Sequence, residues 1–600
     1  MRTIARSHQV HHRGRGRVAR WLVLLVIFGL AIQFFRVQIL KHSTYALQSE
    51  GNRIRQLPIP AARGTIYDRN GEVIAENVPG YSIAVLPLSI DSLRAVLDEL
   101  APILELSGEQ LERLVDSYRR HPNQPVTAER NASFAEVSAI EERRAHLPGG
   151  IVIETAPKRL YPHDSLLAHV VGYVAEISDA DLRLPQFEDY EPGRIVGQTG
   201  VERVYDRLLA GTPGVRYVEV NALGRVVGDF RGRPTVEPVP GRDLYLNIDL
   251  ALQQRVAELF PDTMAGAVVA MEPSTGAVLA MYSSPSYDPN LFVGGFEPAA
   301  WRALNTDPGR PLFNRAVTAA YAPGSTFKLV MAGIALEEGH AAVDTKMQIP
   351  CRGALRYGNR VFRDWTPVGH GSLDLHGAIR QSCDVYFYQL GLKIGLPGVL
   401  AGAREFGIGQ PTGIDLPSDI TGSFPDSTAW YDERYGPNGW TNAVVLNLAI
   451  GQGENAQSPL KMTQIFAALA NGGALPTPRV ARTGSLPEPA GSFPLSPEQL
   501  AVLDSALVAV LNEPTGTARG SRLRDWTLAG KTGTAQNPHG EDHAWFIGFA
   551  PAEDPLIVAT ALVEAGGHGS SAAAPIVSRL IDFYLRERVE VPEVTEVIGG

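Results

Sequence analysis

Cysteine is nearly absent from this chain of 600 residues, since the sequence contains only two. Two cysteines cannot build the disulfide framework of a small secreted scaffold. Basic charge is not in excess either, because the formal net charge is −10, so the bulk of the chain is a poor partner for nucleic acid. The 60 glycines and 44 prolines are too few and too irregular for a collagenous chain. What remains is a globular protein, with two or three domains at about 100–200 residues each.

The first forty residues predict a membrane anchor. The stretch from Trp21 to Leu40 is strongly apolar up to Phe35, with Gln33 as the one interruption, and Arg36 follows. A helix needs about 20 such residues to cross a bilayer, so this one is slightly short and would span with Arg36 snorkelling. No small-x-small cleavage site follows the apolar run, which favours an uncleaved anchor over a removed signal peptide.

The charges beside the anchor predict its orientation. Six arginines precede Trp21, and no acidic residue occurs before Glu50. Positive charge next to a membrane helix stays in the cytoplasm. We therefore expect a basic cytoplasmic tail over 1–20, a transmembrane helix over 21–40, and an inner-membrane, single-pass protein whose working part is periplasmic. A basic arm can also bind nucleic acid, but its position against the apolar run favours the topological interpretation.

The exported chain divides near residue 240. Before that point, short β-like runs alternate with turn signals, and helical patterns occur near 91–118 and 134–145. Prolines and a glycine between Val236 and Gly241 mark a boundary. The predicted domains are 41–240, 241–588 and a loose tail over 589–600.

The second domain predicts an α+β fold. Asp249 is placed to cap a helix that begins near Leu250. A hairpin over 265–281 follows, then a mainly helical stretch. Three strand-like runs near the C-terminus complete a sheet begun at 265: 527–535, 544–550 and 556–563. An antiparallel sheet with helices packed on it is an α+β arrangement.

A Ser-x-x-Lys motif, Ser325-Thr-Phe-Lys328, is the first candidate for chemistry. The spacing alone is weak, because Ser458-Pro-Leu-Lys461 has it too and reads as a helix N-cap followed by proline. Ser325, however, opens a long apolar helix-forming stretch, and on a helix Lys328 would stand one turn above it. A lysine beside an apolar helix and near other cations can be neutral enough to take a serine proton.

Two further motifs follow in the same domain, Ser382-Cys-Asp384 and Lys531-Thr-Gly-Thr534. The second lies inside a predicted strand. A glycine within a strand, here Gly533, indicates that something approaches the backbone closely, and we expect a substrate lying along the strand edge. Each motif alone is more simply structural. Together, in this order on an exported α+β domain, they indicate a catalytic serine site.

This ordered set resembles the signature of the penicillin-recognising serine transpeptidases. Segments 63–71 and 197–202 resemble the non-catalytic pedestal of the class B penicillin-binding proteins, and 321–325 is similar to their nucleophile turn, above all in the elongation-specific members. The resemblance implies a β-lactamase-like transpeptidase domain, an elongated, dimerisation-like N-terminal pedestal domain and one transmembrane helix. Asp384 departs from the pattern, since the middle motif usually ends in asparagine.

The resemblance implies acyl transfer of the D-alanyl-D-alanine transpeptidase or carboxypeptidase class. Ser325 would attack the penultimate D-alanine carbonyl of a stem peptide, with Lys328 as base. Ser382 would relay a proton to the departing D-alanine, and Asp384 would orient the lysines or the peptide. The implied substrate-binding residues are Lys531, Thr532, Gly533 and Thr534. Backbone N–H groups of Ser325 and Thr534 would form the oxyanion hole. An amine from a neighbouring strand would then complete a cross-link, with no organic cofactor.

The implied partners are peptidoglycan stem peptides, β-lactams, the membrane, and a shape-determining membrane glycosyltransferase with its elongation machinery. Two other interpretations stay open. A β-lactamase or β-lactam sensor of the same fold is one, although no base dedicated to a deacylating water is identifiable. A non-catalytic cell-wall scaffold is the other, and the intact motifs argue against it.

The two cysteines, Cys351 and Cys383, flank Asp364 and His370. Two thiols, a carboxylate and an imidazole suit tetrahedral zinc, although the spacing matches no compact zinc motif. The resemblance implies a structural zinc here, because some elongation-type relatives bind zinc through residues that align with Asp364, His370 and Cys383. Their first ligand aligns with Ile349, so Cys351 would replace it. A disulfide or two separate thiols are the competing interpretations.

Overall fold

The computed structural model describes residues 9–40, 54–86, 89–121, 124–221, 226–295, 298–482, 484, 487–538 and 540–589. The predicted loose tail lies outside the described residues from 590 onward, and so do the first eight residues of the predicted basic tail.

The N-terminal helix α1 runs from Gln9 to Phe35 and continues as a π-helical turn, Arg36–Leu40. Its segment Arg17–Ile39 is long and apolar enough to cross a membrane, with a mean hydropathy of 2.2 and exposed side chains. The helix begins before the predicted span because the preceding basic segment contains no proline to end it.

Strands and short helices alternate between residues 54 and 245. The elements are β1 (Ile54–Ile59), β2 (Ile66–Tyr67), β3 (Val73–Val85), α2 (Ile90–Leu100), α3 (Gly108–Arg120), β4 (Val126–Ala132), α4 (Phe134–Glu142), β5 (Ile151–Leu160), α5 (Ala168–Val171), β6 (Val174–Glu176), β7 (Ile195–Gly197), α6 (Gly200–Val204), α7 (Asp206–Leu209), β8 (Gly214–Val220), β9 (Val226–Asp229) and β10 (Leu244–Tyr245). Short 3-10 turns occur at Asp164–Leu167, Asp181–Arg183 and Pro185–Phe187.

The helical pattern near 91–118 forms two helices rather than one. The Ser107 hydroxyl accepts from the Gln110 N–H, and the Gln110 side chain accepts from the Ser107 N–H, so a capping box starts α3. The buried residues of α2 follow the predicted spacing: Leu93, Val96, Leu97 and Leu100. The helix α4 ends at Glu142, three residues before the predicted end.

Contacts divide the chain into two compact units, one of residues 1–61, 80–156 and 212–239, the other of 62–79, 157–211 and 240–600. In the first unit, β8 pairs antiparallel with β1 and with β9, and the later residues of β3 pair with β4. In the second unit, β2 pairs with β10 and with the first residues of β3. The predicted boundary at 240 stays a prediction.

The two pedestal-like segments meet in the second unit through buried charges. Glu202 accepts from Arg63 Nη2 and from Arg159 Nε, each at 2.7 Å. Arg63 Nη2 also lies 2.9 Å from Asp206 Oδ1. Two guanidinium groups thus balance two carboxylates, which buried charges require.

The rest of the second unit carries the larger helices and strands. These are α8 (Leu250–Leu259), β11 (Gly266–Met271), β12 (Val278–Ser284), α9 (Pro298–Thr306), α10 (Lys328–Glu337), β13 (Ala354–Tyr357), β14 (Arg360–Arg363), α11 (Leu375–Arg380), α12 (Asp384–Glu405), α13 (Thr428–Tyr435), α14 (Val444–Ala449), α15 (Pro459–Ala470), β15 (Ala474–Leu475), β16 (Gly491–Ser492), α16 (Pro497–Asn512), β17 (Ala529–Ala535), β18 (His543–Ala550), β19 (Ile557–Val563) and α17 (Ala574–Glu587). Further 3-10 turns lie at Pro289–Phe292, Gly324–Phe327 and Arg519–Ser521.

A five-stranded antiparallel sheet organises this part, in the order β12-β11-β19-β18-β17. The predicted hairpin supplies one half and the three C-terminal strands the other, so the α+β prediction is confirmed. Helices α8 and α17 pack on the sheet, and α15 lies across β11, β18 and β19. Strands β11 and β19 are buried throughout, which explains their continuous apolar runs. Strand β17 ends the sheet.

Two predicted helix caps are present. Asp249 accepts from the Leu252 N–H at the start of α8. Ser458 accepts from the Lys461 N–H at the start of α15, with Pro459 in the first helical position. The second Ser-x-x-Lys of the chain is therefore a helix cap.

Candidate active site

Ser325 lies in the 3-10 turn Gly324–Phe327, which leads directly into α10 at Lys328. The turn needs glycine at its first position, because φ there is +54° and a Cβ would lie 2.6 Å from Thr534 O. Ser325 is half-buried, and within the described part of the chain its hydroxyl makes no hydrogen bond. The hydroxyl is therefore available to a substrate.

Lys328 lies entirely out of solvent, at 0% exposure. Its Nζ donates to Asp384 Oδ1 at 2.6 Å, to Ser382 O at 2.8 Å and to Ser382 Oγ at 3.3 Å. A buried ammonium needs an opposite charge and acceptors for its protons, and these two residues supply both. The second motif thus surrounds the lysine of the first.

The backbone at Ser382 has a left-handed conformation, with φ +55°. The Cys383 N–H donates to Ala378 O and the Ser382 N–H to Ile379 O, which is the Schellman arrangement that ends α11. Glycine usually occupies this position, because a Cβ costs about 1–2 kcal/mol there. The end of the helix would be more stable with glycine at this position, so the presence of a serine indicates that its hydroxyl has a functional role.

Replacing Ser382 separates this strain from the use of the hydroxyl. Ser382→Gly and Ser382→Ala both remove the oxygen between two lysines, so we expect both to lower the rate of penicillin acylation by about 10²-fold. The glycine variant should unfold with a free energy about 1 kcal/mol higher than the alanine variant. Denaturant unfolding and acylation kinetics measure the two effects. Ser372, which does not have a positive φ, is the control position: there the glycine variant should be no more stable than the alanine variant. If the glycine and alanine variants at 382 are equally stable, the backbone at Ser382 is not strained.

Strand β17 brings Lys531 to the same place. Its Nζ is at 0% exposure and donates to Ser382 Oγ at 2.9 Å and to Thr532 O at 3.1 Å. Burial and the nearby charge of Lys328 lower the pKa of Lys531 well below its usual value, although Asp384 opposes this. The Ser382 hydroxyl therefore bridges two lysine nitrogens, one paired with a carboxylate and one inclined to be neutral.

The expected close approach at Gly533 is present, because Trp545 and the nucleophile turn both lie against it, and the substrate contact along this strand stays a prediction. A Cβ on Gly533 would lie 3.0 Å from Pro323 O and 3.0 Å from Thr326 Cγ2. Thr532 is buried and its hydroxyl bonds with the Thr517 hydroxyl at 2.8 Å, whereas Thr534 is half-buried. Hydrogen bonds thus join Lys328, Ser382, Asp384 and Lys531, and the turn that carries Ser325 lies against the Gly533-Thr534 segment.

Sequence reasoning missed a loop that supports the nucleophile turn. The Gly324 N–H donates to Gly451 O at 3.0 Å, and Gln452 Nε2 donates to Thr534 O at 3.2 Å. Gly451 and Gly453 both have positive φ, 71° and 72°. The Gly-Gln-Gly sequence is the signal that could have drawn attention to this turn.

The four predicted metal ligands also come together. Donor atoms of Cys351, Asp364, His370 and Cys383 all lie within 4.8 Å of one another. Asp364 Oδ2 lies 3.4 Å from each sulfur, and His370 Nδ1 lies 3.7 Å from Cys351 Sγ and 3.5 Å from Asp364 Oδ1. Both cysteines are free thiols, so no disulfide joins them in the structure.

Trp365 links this cluster to the lysines, and no sequence motif predicts that contact. The backbone N–H of Trp365, next to Asp364, donates to Asp384 Oδ2 at 3.1 Å. The other oxygen of Asp384 holds Lys328. The loop that carries Asp364 therefore fixes the orientation of the carboxylate beside the buried ammonium.

The chain is similar to known proteins over most of its length. Residues 266–582 match the family model described as Penicillin binding protein transpeptidase domain, and residues 58–246 match the Penicillin-binding Protein dimerisation domain. The Peptidoglycan D,D-transpeptidase MrdA of Acinetobacter baumannii is 35% identical, over 97% of this chain and 89% of its own length.

Two solved structures are similar over most of the chain. The penicillin-binding protein PBP2 of Helicobacter pylori, solved in complex with MreC, has a TM-score of 0.77 at 32% identity and covers 89% of this chain and 100% of its own. A chain from a peptidoglycan synthase complex that coordinates polymerization and crosslinking has a TM-score of 0.68 at 31% identity, covering 96% and 100%.

Proposed function

This chain belongs to the class B penicillin-binding proteins, and from that premise we propose that it cross-links peptidoglycan stem peptides during cell-wall elongation, as a D,D-transpeptidase acting through a Ser325 acyl-enzyme. The observation that carries the proposal is the bridge of Ser382 Oγ between Lys328 Nζ at 3.3 Å and Lys531 Nζ at 2.9 Å, directly behind the turn that presents Ser325. Three distant motifs contribute one group each to this bridge.

Activation of Ser325 needs a neutral amine beside it. Burial and the charge of Lys328 lower the pKa of Lys531, so that amine is inclined to be neutral and can act as the acceptor when Lys328 passes its proton on through the Ser382 hydroxyl, which lies 3.3 Å from one nitrogen and 2.9 Å from the other. Lys328 is then a neutral amine and accepts the Ser325 proton as the hydroxyl oxygen attacks the D-alanine carbonyl. Asp384 stabilises the ammonium that forms, since its Oδ1 already lies 2.6 Å from Lys328 Nζ.

The same groups complete the transfer. The N–H groups of Ser325 and Thr534 stabilise the oxyanion, and the hydroxyls and cation of Lys531, Thr532 and Thr534 hold the terminal carboxylate. When the carbon–nitrogen bond to the last D-alanine breaks, Ser382 delivers the proton to the departing amine. An amine of a second stem peptide then attacks the acyl-enzyme carbonyl, the ester bond to Ser325 breaks as the new amide bond forms, and the proton of the amine returns to the Ser325 oxygen through Lys328.

A fluorescent penicillin tests this proposal against a β-lactamase of the same fold. Full-length protein should become labelled in a ratio of one per chain, and the label should persist, because no group dedicated to activating a deacylating water is assigned. Rapid release of hydrolysed penicillin would favour the lactamase. Absence of labelling would favour the scaffold.

We also propose that Cys351, Asp364, His370 and Cys383 hold a structural zinc ion. Tetrahedral zinc with bonds of about 2.0–2.3 Å separates its ligand atoms by about 3.3–3.8 Å. Asp364 Oδ2 at 3.4 Å from each sulfur and His370 Nδ1 at 3.7 Å from Cys351 Sγ fit that geometry, and the four donor atoms, which lie within 4.8 Å of one another, need to draw only slightly closer to bind the ion. The positive charge of zinc would balance the negative charges of two thiolates and a carboxylate. The bound ion would also fix the loop that carries Asp364, and the Trp365 N–H of that loop orients Asp384.

Metal analysis checks the zinc proposal. Purified wild-type protein should contain about one zinc per chain, and a chelator that removes it should lower the melting temperature. Cys383→Ser and His370→Ala should lose most of the metal, whereas His376→Ala, a nearby histidine outside the cluster, should keep it. A wild-type protein that neither contains nor takes up zinc would contradict the proposal.

The arginines before Trp21 support an inner-membrane anchor with its N-terminus in the cytoplasm and a periplasmic catalytic domain. The relatives support the proposed partners. The Helicobacter pylori protein was solved with MreC, and another similar chain belongs to a complex that polymerizes and crosslinks peptidoglycan. We propose that this chain likewise works beside a shape-determining membrane glycosyltransferase.

A further inference from the structure

An open cavity of about 630 Å³ adjoins the nucleophile turn, and no step of the proposed reaction uses it. Its lining includes Ala322 of the turn, Asn447, Gln452, Gln536, Asn537 and Asp542. Most of these side chains are carboxamides. Asp542 is the one charged residue among the described residues that line the cavity.

The position of the cavity along β17 relates it to one part of the substrate. The terminal carboxylate is proposed to lie at Lys531 and Thr532, and the scissile carbonyl at the Thr534 N–H. A peptide that runs along this strand edge from that carboxylate continues past Thr534 towards 536–538. The cavity therefore lies on the side of the donor residue that precedes the acylated D-alanine, away from the leaving group.

Gln452 marks the same path. Its side-chain amide donates to Thr534 O at 3.2 Å, the backbone acceptor at the end of the edge strand. A substrate N–H pairing with this strand would compete for that oxygen. Gln452 therefore lies at the point where the backbone of a bound stem peptide would enter the cavity.

Among the residues that the structure describes, Asp542 has no cationic partner. Its Oδ1 accepts only a 3.3 Å hydrogen bond from the Asn537 N–H, and it forms no ion pair within the described residues. The neighbouring His543 does not neutralise it, because burial lowers the pKa of that imidazole, against the effects of Glu564 and Asp542. A half-buried carboxylate among carboxamides is suited to an ammonium group with further hydrogen-bonding atoms.

The proposed reaction supplies such an ammonium. A cross-link joins two stem peptides of the same kind, so the side-chain amine that makes one peptide an acceptor is also present, unreacted, on the donor. We propose that this cavity is a donor subsite, in which Asp542 binds the free side-chain ammonium of the donor stem peptide. The subsite rests on the proposed transpeptidase function and adds the recognition of a diamino acid to it.

Two synthetic peptides test the subsite on the full-length protein. Both are stem pentapeptides ending in D-alanyl-D-alanine; one carries a free amine on the side chain of the preceding residue, and in the other that amine is acetylated. Single-turnover release of D-alanine gives the acylation rate at low peptide concentration. In the wild type we expect acetylation to lower this rate about tenfold, the effect of one hydrogen bond to a charged group.

In Asp542→Asn the two peptides should react at nearly equal rates. Asp554→Asn, an exposed aspartate in the loop after β18, is the matched control and should keep the wild-type difference. Acylation by benzylpenicillin, which has no ammonium, normalises each variant for the state of its serine centre. A merely structural role of Asp542 would slow both peptides equally and leave their ratio unchanged, which would overturn the subsite.

The outcomes also separate the subsite from the function on which it rests. If benzylpenicillin labels the wild type but the two peptides acylate it equally, the subsite alone fails. If neither penicillin nor peptide acylates the protein, the transpeptidase function fails and the subsite with it.

Discussion

Ser325→Ala is expected to abolish acylation, with the rate of penicillin capture falling by about 10⁴-fold or more, to below detection. The turn that carries Ser325 packs closely on the third motif, because a Cβ at Gly324 would lie only 2.6 Å from Thr534 O. The Ser325 hydroxyl is the nucleophile that this turn presents. An alanine leaves that packing intact and removes only the attacking oxygen. Gel-based labelling with fluorescent penicillin measures the loss, and circular dichroism should show an unchanged fold.

The second Ser-x-x-Lys of the chain supplies the control. The Ser458 hydroxyl accepts from the Lys461 N–H at the start of α15 and forms no hydrogen bond with the three motifs within the described residues, so Ser458→Ala should lower stability by about 1 kcal/mol, the value of a lost N-cap, and keep its labelling. Residual labelling of Ser325→Ala at a rate close to the wild type would show that another residue is the nucleophile.

Lys328→Met is expected to lower the acylation rate by about 10³-fold, within the usual range for removing a general base. The same change leaves Asp384 buried without its closest cation, so we expect a loss of about 3 kcal/mol in the free energy of unfolding. Stopped-flow or gel-based acylation and denaturant unfolding measure the two effects on one protein.

The double variant Lys328→Met with Asp384→Asn separates the two roles. Because asparagine removes the unpaired charge, most of the lost stability should return, while acylation should stay as slow as in the single variant. Recovery of acylation in the double variant would mean that Lys328 serves only to balance Asp384.

Much of the fold could be predicted because its signals are local. The strands β11 and β19 are continuous apolar runs, as expected for a sheet covered on both faces, and Asp249 and Ser458 cap their helices as their positions indicate. The split between α2 and α3 depends on the capping box at Ser107, which a window of apolar periodicity does not detect.

The sequence predicted which residues belong to the candidate site, but not the hydrogen bonds and ion pairs among them. Residue types and order identified Ser325, Lys328, Ser382 and Lys531, yet the pairing of Lys328 with Asp384 is a contact across 56 residues and depends on packing. The Schellman turn at Ser382 could not be predicted, because a serine occupies the position at which glycine normally indicates such a turn. The close approach at Gly533 was predicted, but its partner in the folded chain, the nucleophile turn, was not, and the substrate contact along this strand edge stays a prediction.

For the metal cluster, too, the sequence predicted the residues but not how the fold brings them together. Ligand types led to Cys351, Asp364, His370 and Cys383, but the spacing fits no compact motif, because Cys351 precedes the β13–β14 hairpin, Asp364 and His370 follow it, and Cys383 lies at the N-terminus of α12. Only the folded chain reveals that Trp365 joins this cluster to Asp384.

Mass spectrometry of the intact acyl-enzyme addresses the central claim, that three separate motifs serve one reacting alcohol. Full-length protein is incubated with benzylpenicillin, digested, and the modified peptide sequenced. The account predicts a single adduct, on the oxygen of residue 325, in wild-type protein and in Ser458→Ala alike. An adduct on any other side chain, or several adducts of equal abundance, would contradict it.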